Sequence, residues 1–144
     1  MSVIEGDTHR IRTQMTLDER ITRIRVSASG DLAFVVNPTT DKLTIIDTAS
    51  NQIIRQGPMR KGPDDVVFTD NLAYVHHQGS EEILMIPLVE LRAAHNYIPV
   101  IDFSGGRQAP GKSFVPTPSS TMVQAPGANA MLVAHPGDGR TYYY

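Results

Sequence analysis

Histidine is the residue type in this sequence with the most scope for chemistry. His76 and His77 stand in the stretch YVHHQG, and His135 stands in the similar stretch LVAHPG. Neutral imidazole can ligate a metal ion or take an axial position on haem iron. A metal ion needs three or four ligands, however, and His9 and His95 fall in unrelated segments. The sequence predicts His76, His77 and His135 as candidate metal ligands, and the simpler interpretation that they are loop histidines stays open.

An adjacent pair of carboxylates, Asp64 and Asp65, is the second candidate for chemistry. Two carboxylates that share one proton can act as an acid and a base, but neighbouring residues of a strand point to opposite faces of its sheet. We therefore predict that the pair helps to start a strand and balances the nearby charges of Arg60 and Lys61. No catalytic residue is predicted.

Two glycine-containing fragments resemble parts of phosphate-binding loops. They are Gly105-Gly106-Arg107 and Gly111-Lys112-Ser113. A P-loop also needs an earlier glycine at a fixed distance and a helix that follows directly, and Pro116 and Pro118 prevent such a helix. The sequence therefore predicts a surface loop here and no phosphate site.

The elements that must position these residues repeat along the chain. Leu32-Ala33-Phe34-Val35 and Leu72-Ala73-Tyr74-Val75 align with each other at a spacing of 40 residues. This spacing lies in the range of propeller blades. Short apolar, β-branched runs alternate with Gly, Pro, Asn and Asp turns, as is typical of strands, and each repeat holds four of them. We predict an all-β fold of β-propeller blades, each with four antiparallel strands.

The predicted divisions form a single propeller-type domain or segment over residues 1–144. Residues before position 9 are expected to fray. The parts are an outer strand of a preceding blade at 9–17, blade 1 at 21–59, blade 2 at 64–103 with a helical insert at 88–96, a loop at 104–120 and an incomplete blade 3 at 121–144. This organisation predicts twelve strands, about three blades' worth, opened within a blade.

Three blades are fewer than the roughly four to eight that close a propeller ring. Two interpretations follow, and both stay open. Two chains can join head to tail as a homodimer and complete a six-bladed ring, or the chain is a segment of a larger propeller. The terminal run Tyr142–Tyr144, predicted as a packed strand without a polar cap, favours the segment.

The stretch Leu32–Ile54 resembles the YVTN-type β-propeller repeat. Val35-Val36-Asn37 and Ile46-Asp47-Thr48-Ala49-Ser50 fill the places of its two strand ends, and Gly62-Pro63 fits the step before the next blade. The resemblance extends over about two-thirds of the chain and weakens in blade 2, where His76-His77 replaces Thr-Asn. It implies a bacterial or archaeal protein whose full-length parent is periplasmic or extracellular. Such propellers bind partners or accompany haem, copper or quinone centres, and no functional residue transfers.

Composition and net charge limit the kinds of partner that this chain can bind. The chain has 13 basic and 15 acidic residues, a net charge of −2 and no cysteine. Such a charge attracts neither nucleic acid nor anionic lipid. No signal peptide or membrane span is evident, since the apolar runs are short. We predict a non-catalytic binding or scaffolding module without a cofactor, with a protein or small-molecule partner at the propeller rim. The alternative is an exported redox-associated propeller domain that holds or docks onto a haem, copper or quinone centre.

Overall fold

A computed structural model of the protein describes residues 1–17, 21, 23–78, 82–104, 121–125, 127–135 and 140–143. These residues form thirteen β-strands and a short 3₁₀ helix, Leu88–Arg92, between β9 and β10. The strands are β1 Ser2–Ile4, β2 Ile11–Gln14, β3 Arg23–Val26, β4 Leu32–Asn37, β5 Lys42–Asp47, β6 Gln52–Pro58, β7 Pro63–Phe68, β8 Leu72–His77, β9 Glu82–Pro87, β10 Ile101–Ser104, β11 Thr121–Gln124, β12 Met131–His135 and β13 Arg140–Tyr143.

The strands form four antiparallel sheets in which each strand pairs with its neighbours in sequence. β3–β6 form the first four-stranded sheet, called blade 1 below, and β7–β10 form the second, blade 2. β11–β13 form a three-stranded sheet, blade 3, and β1–β2 form a hairpin that precedes blade 1. The predicted all-β fold of antiparallel propeller blades is confirmed, with two four-stranded blades among the described residues.

Turn chemistry closes each strand pair of blade 1. Between β3 and β4, Gly30 has a φ of 77° and the Ser27 hydroxyl accepts the Leu32 backbone N–H at 3.1 Å. Between β5 and β6, the Asp47 carboxylate accepts the Ser50 N–H at 2.8 Å. These polar side chains replace the main-chain partners that a turn cannot supply. They fix the ends of β4 and β5, the buried middle strands of the blade.

Successive blades pack face to face, because alternate residues of each strand point toward one neighbour or the other. We call the face of a blade toward the next blade its front face, and the face toward the preceding blade its back face. Phe34 and Val36 on the front face of blade 1 pack with Val66, Phe68 and their neighbours on the back face of blade 2. The rings of Phe34 and Phe68 meet edge to face, with centroids 5.0 Å apart.

The same arrangement continues on both sides. Tyr74 and Ile83 on the front face of blade 2 pack with Met122 and Met131 on the back face of blade 3. On the back face of blade 1, the N-terminal segment supplies a smaller cluster. Its apolar side chains Met1, Met15, Leu17 and Ile21 pack on Ala33, Val35 and Ile46.

The N-terminus differs from the prediction. Residues 1–8 were expected to fray, yet Ser2–Ile4 forms β1, which pairs with β2 across a register shift after Val3. Three residues are too short for an alternating apolar pattern, so the sequence carried no strand signal there. The 3₁₀ helix lies inside the segment predicted to hold a helical insert. No helix in the described ranges has the length and apolar character to cross a bilayer.

Candidate functional site

His76 and His77 end strand β8 on opposite faces of blade 2. In register, His76 lies opposite Ile83 and His77 lies opposite Pro63. Alternation along the strand puts His76 on the front face with Tyr74, and His77 on the back face with Val75. Both side chains are buried. A metal ion therefore cannot approach both imidazoles from one side of the sheet.

The other histidines lie elsewhere. His135 is the last residue of β12, the strand that corresponds to β8, and the structure describes only its backbone position, opposite Arg140. His95 is partly buried and stacks on Tyr97, with ring centroids 4.1 Å apart. Among the described residues, no three His, Cys, Asp or Glu side chains are grouped closely enough to hold a metal ion. The predicted metal site at His76, His77 and His135 stays a prediction.

The buried His76 pairs with Asp64, whose side chain is 30% exposed. Its Nδ1 lies 2.5 Å from Oδ1 of Asp64. The register of β7 on β8 shifts between Pro63 and Asp65, so Asp64 is the extra residue of a β-bulge. Bulges redirect a side chain away from the regular alternation, and here the carboxylate reaches the imidazole. Because Nδ1–H donates to Asp64, the neutral ring carries its lone pair on Nε2.

The Nε2 atom of His76 is buried and has no hydrogen-bond partner within the part of the chain that the structure describes. The corresponding residue of blade 1 is Val36, which is also the fifth residue of its strand and is fully buried. A polar nitrogen thus occupies a position that the repeat fills with an apolar side chain. An unpaired buried polar atom costs about 1–3 kcal/mol of stability, unless a ligand or water satisfies it. His76 is therefore the candidate ligand residue with the most specific geometry.

Asp65 has different partners from Asp64. Its carboxylate accepts hydrogen bonds from Arg25 Nε at 2.9 Å and from Arg23 Nη1 at 3.2 Å. The bond to Asp65 raises the pKa of Arg25 above its ordinary value. These contacts join the inner strand of blade 1 to the inner strand of blade 2. Arg23 and Arg25 thus balance the charge of Asp65, and nothing in the sequence pairs them with it; the balance of Arg60 and Lys61 stays a prediction.

A cleft of about 380 Å³ lies on one rim of the fold, where blades 1 and 2 meet. We call it the rim cleft. The first turns of both blades and the 3₁₀ helix line it, with Ser29, Asp31, Leu32, Asp70, Asn71, Leu88, Val89 and Arg92. A partner at the propeller rim is predicted from the sequence, but the sequence indicates none of these residues.

Arg92 joins the 3₁₀ helix of blade 2 to two turns of blade 1. Its Nη1 lies 2.7 Å from Asp47 Oδ2 and its Nη2 lies 3.2 Å from Asp31 Oδ2. The Ser50 backbone N–H and the Arg92 guanidinium lower the pKa of Asp47 to about 2. The hydroxyls of Ser29 and Ser27 lower the pKa of Asp31 as well. Both carboxylates are thus held ionised beside the rim cleft.

Among the described residues, two sheet faces at the ends of the array carry exposed apolar side chains that no blade covers. On the back face of blade 1, Ile24 and Val26 of β3 are 43% and 53% exposed. Their counterparts in blade 2, Val66 and Phe68, are 0% and 5% exposed because blade 1 covers them. On the front face of blade 3, Val123 is 53% exposed. We call the surface of Ile24 and Val26 the open back face, and that of Val123 and Leu132 the open front face.

Sequence reasoning missed the Arg92 contacts and the Asp64 bulge for different reasons. Arg92 lies in an insert outside the repeat, so no equivalent residue could indicate its role. The bulge adds one residue to β7, which the apolar pattern does not show. One signal was available: aligning His76 with Val36 places a polar residue at a core position.

No protein-family model and no curated protein matches this sequence. Solved structures are similar in fold. The dihydro-haem d1 dehydrogenase NirN in complex with DHE matches with a TM-score of 0.69 at 14% identity, over 92% of this chain and 27% of that chain. The Cps50 (Swd1) β-propeller domain of Myceliophteria thermophila matches with a TM-score of 0.52 at 16% identity, over 86% of this chain and 53% of that one.

A chain of a mitotic checkpoint complex is also similar, with a TM-score of 0.58 at 11% identity, over 99% of this chain and 55% of that chain. This protein therefore spans about a quarter to about half of the length of these solved chains. At such low identity the likeness supports the β-propeller fold alone. The similar structures include a haem-related dehydrogenase and a member of a protein complex, so they do not select one function.

Proposed function

We propose that this chain is a non-catalytic β-propeller module that binds a protein partner. The observation that carries this proposal is the exposure of Ile24 and Val26 at positions whose blade 2 counterparts are buried. Exposed apolar side chains on a flat sheet face favour a partner that removes them from water. A second blade-like sheet fits this face, because such a sheet covers the same positions in blade 2.

We also propose the type of repeat, the compartment and the surfaces where a partner binds. The repeat is of the YVTN type, and a full-length parent is periplasmic or extracellular. A protein or small molecule can also bind in the rim cleft, where Asp31 and Asp70 provide carboxylates and Val89 an exposed apolar side chain. The partner at the end faces is either another protein or a second copy that completes a six-bladed ring.

Absorbance and metal analysis of the purified chain test the non-catalytic module. We expect no haem Soret band and far less than one metal ion per chain. In a solution dilute enough to keep the chain monomeric, we also expect it to bind an apolar fluorescent probe at its end faces, and Ile24→Ser with Val26→Ser to reduce the binding. A stoichiometric haem or copper ion contradicts the proposal.

A second candidate is a redox-associated domain that holds a haem or copper centre, and His76 favours it. Nε2 of His76 carries a lone pair, is oriented by Asp64 and has no partner among the described residues. A carboxylate on the opposite ring nitrogen is the usual support of a metal-binding histidine. If this candidate is correct, His76→Val abolishes a Soret band or bound copper, whereas the control His95→Ala, at a histidine away from this site, preserves it.

A further inference from the structure

Each contact between described blades in this protein joins a front face to a back face. Phe34 of blade 1 lies against Phe68 of blade 2, and Tyr74 of blade 2 packs in one cluster with Met122 of blade 3. Within the residues that the structure describes, one front face and one back face are therefore left that no other blade covers. These are the open front face on blade 3 and the open back face on blade 1.

The two open faces carry residues equivalent to those of the internal contact. Through the register with β4 and β8, Val26 takes the place in blade 1 that Phe68 takes in blade 2. Leu132, at the second position of β12, corresponds to Tyr74 and to Phe34 on the front faces of blades 2 and 1. Leu132 and Val26 thus occupy, with smaller side chains, the places that Phe34 and Phe68 occupy at the contact between blades 1 and 2.

The N-terminal segment leaves room for such a contact. It covers the middle strands of the back face of blade 1 through Ala33, Val35 and Ile46, and leaves Ile24 and Val26 of the inner strand exposed. The inner strand of blade 3 is β11, which carries the exposed Val123. An inner strand can therefore lie against an inner strand, as β3 lies against β7.

The charges near the open back face do not oppose this contact. Arg23 and Arg25 alternate with Ile24 along β3, and both bind Asp65 of blade 2. Their side chains are thus directed toward the front of blade 1, and the back of the strand presents aliphatic groups. The described open front face is aliphatic as well.

We propose that a second copy of this chain covers both faces, with the open front face of each copy packed on the open back face of the other. This inference rests on the proposed function and names the partner. A second copy supplies both kinds of face at once. The contact is heterologous, since different surfaces meet, and two such contacts related by a two-fold axis close a dimer.

Sedimentation velocity of the full chain over a range of concentrations tests the proposal. We expect a reversible dimer for the natural sequence. Val26→Lys, on the open back face, and Val123→Glu, on the open front face, each place a charge in both contacts of the dimer. Each substitution alone should raise the dissociation constant about tenfold or more, because a buried unpaired charge is costly.

Mixing the two variants gives the discriminating result. A mixed dimer has one contact without substitutions and one in which the introduced charges have opposite signs, so association should return. Val100→Lys is the matched control, because Val100 is an exposed valine outside both faces, and it should leave the dimer unchanged. Circular dichroism checks that every variant is folded; if a lysine or glutamate variant is not, serine at the same position replaces it.

A folded natural chain that stays monomeric at all concentrations overturns the proposal, and so does a dimer that neither substitution weakens. A mixture that stays monomeric overturns it too, since it excludes a head-to-tail contact. None of these outcomes decides whether the chain is a non-catalytic binding module. That question is answered separately by the absorbance and metal analysis.

Discussion

His76 and Asp64 form a polar pair at a position that the repeat otherwise fills with an aliphatic side chain. Val36 occupies the corresponding place in blade 1 and is fully buried. The imidazole gains one strong hydrogen bond through Nδ1 but leaves Nε2 without a partner among the described residues. At the residue scale the pair is a local cost to stability, and this cost is the reason to search for a ligand there.

We expect Asp64→Ala to lower the free energy of unfolding by about 1–3 kcal/mol, because it leaves the buried Nδ1–H donor unpaired. Urea unfolding monitored by circular dichroism measures the change. Asp70→Ala is the matched control: the residue lies in an exposed turn and its hydrogen bond to Asn129 comes from the backbone N–H, so the change should stay within about 0.5 kcal/mol. In a His76→Val background, Asp64→Ala should cost much less. An equal cost in both backgrounds contradicts the pairing.

The carboxylate of Asp47 makes the stability of the protein depend on pH in acidic solution. The pKa of Asp47 is about 2 in the folded chain, below its ordinary value of 3.8. A lowered folded pKa adds stability that is present above pH 3.8 and is lost as pH falls through about 2. The melting temperature should therefore fall as pH decreases across this window, and Asp47→Asn should flatten that part of the curve. A profile that Asp47→Asn does not change would show that other carboxylates cause the acid sensitivity.

At the scale of elements, the turn between β3 and β4 depends on one glycine. Gly30 has a φ of 77°, and a Cβ added there would meet no atom within 4 Å. Gly30→Ala should therefore destabilise the protein through backbone strain alone, by about 1 kcal/mol, and Gly30→Asn by less. Gly6→Ala is the control, because a Cβ added at Gly6 also meets no atom within 4 Å but the φ of Gly6 is not positive. Thermal unfolding of the variants measures both changes, and equal losses would contradict the strain argument.

The sequence predicted the strands that share a repeated, strongly apolar pattern and missed features that lie outside it. β4 and β8 were predicted because both faces of each strand are buried, which produces continuous apolar runs. β1 and the bulge at Asp64 were not, since neither leaves a periodic signal. For the candidate site, the sequence indicated His76 but not its carboxylate partner, and it gave no indication of the contacts of Arg92.

At the scale of the whole molecule, the strand count differs from the expectation. The hairpin β1–β2 and the three-stranded blade 3 together have five strands, one more than the four of blade 1 or blade 2. If the hairpin of one copy joins blade 3 of the other copy, the shared blade contains five strands, or one of these five strands stays outside the sheet. The head-to-tail contact does not depend on this choice, because β3 and β11 are inner strands and the hairpin packs away from Ile24 and Val26.

Val66 and Ile24 occupy equivalent places in blades 2 and 1, but Val66 lies at a contact between blades and Ile24 lies on the open back face. Val66→Ala removes a smaller group than Ile24→Ala, but Val66 is fully buried between blades and Ile24 is 43% exposed. In dilute solution we expect Val66→Ala to cost about 2 kcal/mol and Ile24→Ala less than about 0.5 kcal/mol. Urea unfolding measures both.

At high protein concentration the second copy buries Ile24, so the loss of stability caused by Ile24→Ala should increase. The loss caused by Val66→Ala should stay constant, because only association depends on concentration. A cost for Ile24→Ala that is large in dilute solution would mean that the back face of blade 1 is already covered within one chain.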